Sequence, residues 1–419
     1  MGSALGATAG LVLAIVLIVR KTPPVYSLAA GALLGGLLGG LGLVDTVAAM
    51  TAGVRDIVPA ILRILAAGVL SGVLIKTGAA ASISHAIIHG LGEKRVYLAL
   101  ALSAMLLTAA GVFIDVAVIT VAPVALMIGR RLSISKVKLL LVMIGGGKCG
   151  NIISPNPNTI IAAENFGAPL PSVMFVNILP AIVGLLATVY VVARLVPASR
   201  GEPSAPAEAG DDAAREDLPP FLPSMVAPVA AIALLALRPL FGIVIDPLVA
   251  LPLGGLAGIA AMRKWSDFLP GISHGLEKMS TVAVLLVGTG TIAGIIKISS
   301  MKELLIDGLA YLNMGETFIA PVAGALMSAA TASTTAGATI ASASFSGAIT
   351  AAGVSAVWGA AMVNSGATVL DHLPHGSFFH ATAGSVGMDM KERLKLIPYE
   401  SLIGLILALG TTAIYMLTP

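Results

Sequence analysis

The stretch "GGGKCGNIISPNPNTIIAAE", Gly145 to Glu164, decides how this chain folds. Apolar sequence lies on both sides of it, yet its centre holds Asn151, Ser154, Pro155, Asn156, Pro157, Asn158 and Thr159. Each proline removes a backbone donor and disfavours helix at the residue before it. A helix must therefore break here, at a depth where lipid offers no hydrogen bonds. Such a break survives only where it is buried in protein or lines a wet cavity. A second break of the same kind, "NSGATVLDHLPHGS" at Asn364 to Ser377, makes a paired site the expectation.

Composition sets the class. Of 419 residues, 57% are hydrophobic and 11% charged, and the mean hydropathy is +0.99. Soluble domains carry about a quarter charged residues, so the fold class is an all-α polytopic membrane protein with apolar stretches of about 20 residues in the bilayer. A scattered net charge of +3 suggests no nucleic-acid partner. One cysteine, Cys149, excludes a disulfide framework and any multi-cysteine metal site. The first twenty residues have no basic segment before their apolar run, and Arg20 and Lys21 follow it. They read as a first transmembrane helix, not a signal peptide.

In chain order, helices are expected at Ala4 to Val19, Val25 to Leu43 and Ile57 to Ile75. The second carries Gly31, Gly35 and Gly39, a small-residue face for close packing. "KTGAAASISHAIIHGLGEKR" reads as a short amphipathic surface helix. Val96 to Ile128 is long and apolar, interrupted by Asp115 in "GVFID", and reads as a re-entrant hairpin. A last helix of this half is expected at Val173 to Val192. Ser199 to Pro223, with six acids, two arginines and five prolines, is a solvated linker.

After the linker the pattern begins again. "LGGL" at Leu34 recurs at Leu253, "IKTGAAASISHAIIHGL" from Ile75 is echoed by "IKISSMKELLIDGLAYL" from Ile296, and Pro157 falls opposite Pro374. "GTGTIAG" from Gly288 has no strand before it and reads as a helix-packing face. The domains are then a first repeat, 1–198, a linker, 199–223, and a second repeat, 224–419. Placing Arg20, Lys21, Lys76, Lys94, Arg95, Arg130, Arg131, Lys136, Lys138, Arg194 and Arg200 on one face makes that face cytoplasmic. Counting on, Arg263, Lys264, Lys278, Lys391, Arg393 and Lys395 also fall inside, and only Arg238, Lys297 and Lys302 outside. The N-terminus is outside, the linker inside, and the repeats are inverted. Inverted repeats with broken helices meeting at the midplane are an architecture of secondary transporters.

Four polar breaks should converge: the tips at Phe113 to Thr120 and Ser328 to Thr339, and the two loops. Half-helix N-termini suit a carboxylate, and unwound carbonyls suit a cation. Hydroxyls and amides can bond a polyol acid, so the substrate-lining candidates are Asn151, Ser154, Asn156, Asn158, Thr159, Ser333, Thr334, Thr335, Asn364 and Ser365. Asp115, an acid inside a hairpin, belongs on an ion or proton path. Asp371, His372 and His375 form the second titratable group, histidine being a natural proton carrier. With His380 they could be metal ligands, but the spacing fits no zinc signature and no metal is expected. Lys148 either counters a bound carboxylate or pairs with Asp115 or Glu164. Arg63 is expected to pair within the scaffold or snorkel.

"GVFIDVAVITVAPVAL" at Gly111 to Leu126, "NIISPNPNTIIAAENFG" and "VLDHLPHGSFF" at Val369 to Phe379 resemble the gluconate:proton symporter family of the wider ion transporter superfamily. Where relatives carry Pro-Pro-His-Pro-Gly-Pro-Thr in the first loop, this chain has Ser154, Pro155, Asn156, Pro157, Asn158 and Thr159, without a histidine. The resemblance implies a scaffold of helices one to three of each half, a moving domain of hairpins and broken helices, an elevator motion and a homodimer. It implies a bacterial-type cytoplasmic membrane and uptake of a small organic anion with protons, and no cofactor beyond the coupling ion. The alternatives are sodium coupling, a cation/proton antiporter of the same superfamily, and an intramembrane metalloenzyme.

Overall fold

The computed structural model describes residues 2–196, 218–300, 315–374 and 376–418, and every named element in it is helical. The first half runs α1 (Ala4–Val19), α2 (Pro24–Leu38), α3 (Leu43–Lys76), α4 (Ala79–Leu91), α5 (Val96–Ala109), α6 (Ile114–Arg131), α7 (Lys136–Asn151), α8 (Pro157–Asn165), α9 (Leu170–Val176) and α10 (Ile178–Tyr190). The second half runs α11 (Phe221–Phe241), α12 (Pro247–Met262), α13 (Phe268–Lys297), α14 (Ile319–Thr331), α15 (Thr334–Ala351), α16 (Ala356–Gly366), α17 (Ser377–Ser385), α18 (Met390–Leu394) and α19 (Ile397–Leu417). Among the described residues, five helical segments are long and apolar enough to cross a membrane, and α8 with α9 would make a sixth, bent by 112°. The chain is a multi-pass membrane protein.

Glycine sets how closely the helices approach. On α3, Gly53 faces Gly290 and Gly294 of α13, Gly68 faces Gly275, and Gly72 faces Gly271. The contacts run in opposite order along the two helices, so α3 and α13 are antiparallel. A Cβ on Gly72 would stand 2.0 Å from the Gly271 carbonyl oxygen, where backbone cannot yield. Gly31 and Gly35 of α2 lie against Gly10 and Gly6 of α1 in the same way, and the "GTGTIAG" segment is part of the α13 face. We expect Gly72→Val to abolish monodisperse protein on size exclusion. Gly90→Ala, where a Cβ meets nothing within 4 Å, should leave it unchanged.

Several boundaries differ from the sequence reading, each for a physical reason. The second helix stops at Leu38, because Gly40 takes φ +87 and turns the chain. The third begins at Leu43, not Ile57, and passes through Pro59. Its first turns tolerate polar residues because they meet partners, as Asp56 does with Lys297 at 2.9 Å. The last helix of the first half is split at Asn177, whose amide reaches Ile152 O at 3.3 Å and receives the Thr411 hydroxyl at 2.9 Å. The linker ends before Phe221, since Pro223 fits the first turn of a helix, where no donor is missed. The rest of the linker, 199–217, and His375 and Lys302 lie outside the described residues. The proposed hairpin is two helices, α5 and α6, joined by a turn at 110–113, and α14 and α15 are joined as tightly at 332–333. The first residues of α15, α16, α17 and α18 follow those of α6, α7, α8 and α9 by about 220 residues. This register puts Pro157 opposite Ser377, three residues past Pro374.

Candidate functional site

The break is held from both sides. Residues 139–151 of α7 are all buried, and Gly146 and Gly150 press on the α5 backbone at Ala101 and Met105. Helix α8 restarts because Asn156 is a good N-cap, its carboxamide oxygen accepting from Thr159 N–H at 3.2 Å, with Pro157 in the first turn. From there a run of hydrogen bonds crosses between the halves. Asn158 donates to Asn364 at 2.7 Å, Asn364 to the Thr159 hydroxyl at 3.0 Å, and Thr159 to Asn156 at 3.0 Å. Asn156 closes the run onto Asn151 O at 3.0 Å.

In front of this buckle lies a cavity of about 760 Å³. One wall is Pro23 to Val25 at the head of α2 and Lys278 to Leu285 of α13. The other is the two hairpin turns and the two breaks: Phe113 to Val116, Thr331 to Ala336, Asn151, Asp371, Ser377 and Phe378. Ile114, Thr334 and Ser377, the first residues of α6, α15 and α17, all face it. Three helix N-termini therefore meet one cavity, each bringing unpaired N–H groups and a positive dipole end. Lys278 is the one cation among its lining residues, and Asp115 and Asp371 are its acids.

Of the substrate-lining candidates, Asn151, Ser333, Thr334 and Thr335 line the cavity. Asn156, Asn158, Thr159 and Asn364 lie behind the wall, buried and spent on one another. Ser365 is buried too, its hydroxyl bonded back to Met362 O at 3.2 Å. Ser154 Oγ is buried without a partner among the described residues. Asp115 is half-buried on the wall and accepts from Val116 N–H at 2.9 Å.

Behind Asp371 sits a charged network with no exposure. Lys148 pairs with neither Asp115 nor Glu164. Its ammonium donates to Asp371 Oδ1 at 2.6 Å and Thr368 O at 2.5 Å, and lies 3.0 Å from His372 Nδ1. The His372 Nε2 is 3.1 Å from Ile397 O, which can only accept. So Nε2 carries a hydrogen, and Nδ1 sits between the Lys148 ammonium and Asp371 Oδ1, 3.0 Å from each. The other carboxyl oxygen of Asp371 receives the Thr334 hydroxyl at 2.5 Å, which joins the network to the cavity wall. Deeper still, Arg393 holds Glu400 with both guanidinium nitrogens, under the Phe379 ring at 4.7 Å. His380 points elsewhere, to Pro374 O at 2.9 Å. Among the described residues no group of three His, Cys, Asp or Glu side chains is placed to hold a metal.

Glu164 is committed to Arg63, and Arg63 also bonds Asp246 at 2.8 Å. Asp246, in the connection before α12, is held below the usual carboxylate range by the hydrogen bond from Arg63, against burial that pushes it up. The triad ties α8 to α3 and α12. Sequence reasoning placed Lys278 only in a charge tally, and nothing local marks it as a cavity residue. Arg63, an arginine inside an apolar helix, did carry a signal, but its partners are 101 and 183 residues away.

Comparison with known proteins bears on this geometry. The chain is 54% identical over 413 residues to an uncharacterized transporter of Haemophilus influenzae, covering 99% of this chain and 98% of that protein. It is 27% identical over 262 residues to a gluconate permease of Pseudomonas aeruginosa, covering 61% of this chain and 55% of that one. The fold is similar to the crystal structure of the Alcanivorax borkumensis YdaH transporter, with a TM-score of 0.65 and 15% identity, covering 90% of this chain and 88% of that one. These relatives are transporters and permeases, not enzymes. The model of the GntP family permeases matches residues 4–418, and the chain belongs to that family.

Proposed function

We propose that this protein is a proton-coupled symporter of a small organic anion, an aldonate or a shorter hydroxy acid, working by elevator-type alternating access. The observation that carries the reading is the convergence of three helix N-termini and Lys278 on one cavity. That arrangement favours negative charge. The hydroxyls of Ser333, Thr334 and Thr335 at the same turn offer donors and acceptors for a polyol.

Coupling follows from charge. Empty, the Lys148–Asp371 pair is neutral. A proton on Asp371 alone leaves one unbalanced positive charge, and an anion alone leaves one negative charge. Proton and anion together restore neutrality. An uncompensated buried charge costs several kcal/mol, so the empty and the doubly loaded carrier move while the half-loaded forms do not. His372, in contact with both Lys148 and Asp371 and tied to Ile397 O, orients the pair. Asp115, on the cavity wall, lies on the path of that one proton to Asp371.

The moving domain in this reading is α5 to α8 and α14 to α17, and the scaffold and dimer contact are α1 to α3 and α11 to α13. Antiparallel packing of α3 on α13, the recurring element order and the Asn158–Asn364 bond between breaks support inverted repeats. With basic ends of the helices inside, the N-terminus is outside the cytoplasmic membrane. The cavity then opens inward, beside Lys278 and the residues that follow Arg20 and Lys21. A second cavity, about 430 Å³, lies at the outward end beside Asp56, Glu164 and Lys297. There the Arg63 triad joins the moving α8 to the scaffold, as an inward-open state requires.

A thermal-shift panel of aldonates and short hydroxy acids at pH 5.5 and 7.5 tests the reading. Bound ligand stabilises by mass action, and a proton taken up with the anion makes the shift larger at pH 5.5. Equal shifts at both pH values would remove the proton linkage. No shift with any acid would remove the substrate class.

A further inference from the structure

Lys148 has an unusual place for a lysine. It is completely buried, and its side chain spans from α7 into the break of the opposite half. An ammonium has three donors, and here three polar atoms meet it: the acceptors Thr368 O and Asp371 Oδ1, and His372 Nδ1 at 3.0 Å. A fourth, Glu400 O, stands at 3.5 Å. Thr368 follows the last turn of α16, where carbonyls have lost their helical partners. One main-chain carbonyl just past a helix C-terminus, one in the first turn of α19 and one carboxylate oxygen surround a single positive charge with a cage of hard oxygen ligands. Half-helix C-terminal ends of this kind coordinate inorganic cations in other broken-helix carriers.

We propose that the Lys148 ammonium is a tethered cation filling a latent sodium site, so that the wild-type carrier has no use for sodium and a truncated side chain at 148 opens the site to it. The cage sits behind the substrate cavity and is wired to it through Asp371 and Thr334. Without the amine, Asp371 remains a buried carboxylate beside two carbonyl oxygens, with space where Nζ stood. A small monovalent cation meets that demand. A proton on Asp371 meets the charge but leaves Thr368 O without the donor that Lys148 supplies. The proposal rests on the proposed coupling only for its consequence in transport. The site itself is tested without substrate.

The experiment compares wild type, Lys148→Ala and Lys148→Met, purified in detergent, in 100 mM sodium chloride and in 100 mM choline chloride at pH 7.5. Lys148→Ala should gain a sodium-specific rise in Tm of about 3 °C or more. Wild type, whose cage is filled, and Lys148→Met, which fills the space without a charge, should show none. If Lys148→Ala does not survive purification in choline, sodium present throughout should recover a monodisperse protein. Equal behaviour of Lys148→Ala in the two salts, folded or not, overturns the proposal. So does a sodium-specific shift in wild type. Neither result depends on which acid is carried or on proton coupling, so failure here is distinct from failure of the transport reading.

Discussion

Lys148→Met is expected to destabilise the folded protein by about 3–5 kcal/mol, the cost of breaking a buried ion pair from one side. Among the described residues no other lysine or arginine reaches Asp371 Oδ1. The His372 imidazole shares Asp371 Oδ1 at 3.0 Å but is tied through Nε2 to Ile397 O, and Arg393 is committed to Glu400. Asp371→Asn should also destabilise, because it leaves the ammonium buried beside neutral oxygens alone. The double variant Lys148→Met/Asp371→Asn removes both charges, and replacing a buried pair by neutral groups is often nearly neutral. We therefore expect the double variant to recover most of the loss, giving a large coupling energy in a double-mutant cycle. Denaturant unfolding of the four proteins in one detergent measures it. Additive losses would mean that the two side chains do not act as a pair.

The second large effect is on transport. Asp371→Asn fixes the residue in the charge state of its protonated form. With Lys148 still positive, the variant is neutral only when an anion is bound. It can carry loaded substrate in both directions but cannot return empty. Net accumulation should fall to background, while exchange of labelled for unlabelled substrate continues and loses its pH dependence. This pattern separates a coupling residue from a structural one, which would lower both activities together.

The breaks and the buried acids were legible in the sequence because each violates a rule that apolar helices otherwise obey. Prolines and asparagines at Asn151 to Thr159 mean a broken helix, and a buried acid such as Asp371 means compensated charge, here Lys148. What the sequence could not show is which polar groups consume each other. An asparagine that lines a cavity and one that bonds another asparagine look the same along the chain. The Asn158–Asn364 bond joins residues 206 apart, and the Lys148–Asp371 pair residues 223 apart. The set of substrate-lining candidates narrows accordingly. The first break contributes Asn151 to the cavity, and its other asparagines close the joint between the two halves. Lys278 was hidden for a different reason. It is an ordinary lysine on a long helix, and only the packing of α13 beside the hairpin turns brings it to the cavity.

The most direct measurement of the central claim, that a proton on Asp371 and a substrate anion balance the fixed charge of Lys148, uses wild type and Asp371→Asn in sodium-free proteoliposomes. The labelled acid is the one that stabilises the protein most in the thermal-shift panel. Under an inward proton gradient, wild type should accumulate it and lose accumulation when the gradient is collapsed. Asp371→Asn should exchange it at a comparable rate at pH 5.5 and 7.5 without accumulating it. Gradient-driven accumulation by Asp371→Asn at the wild-type level would contradict the account.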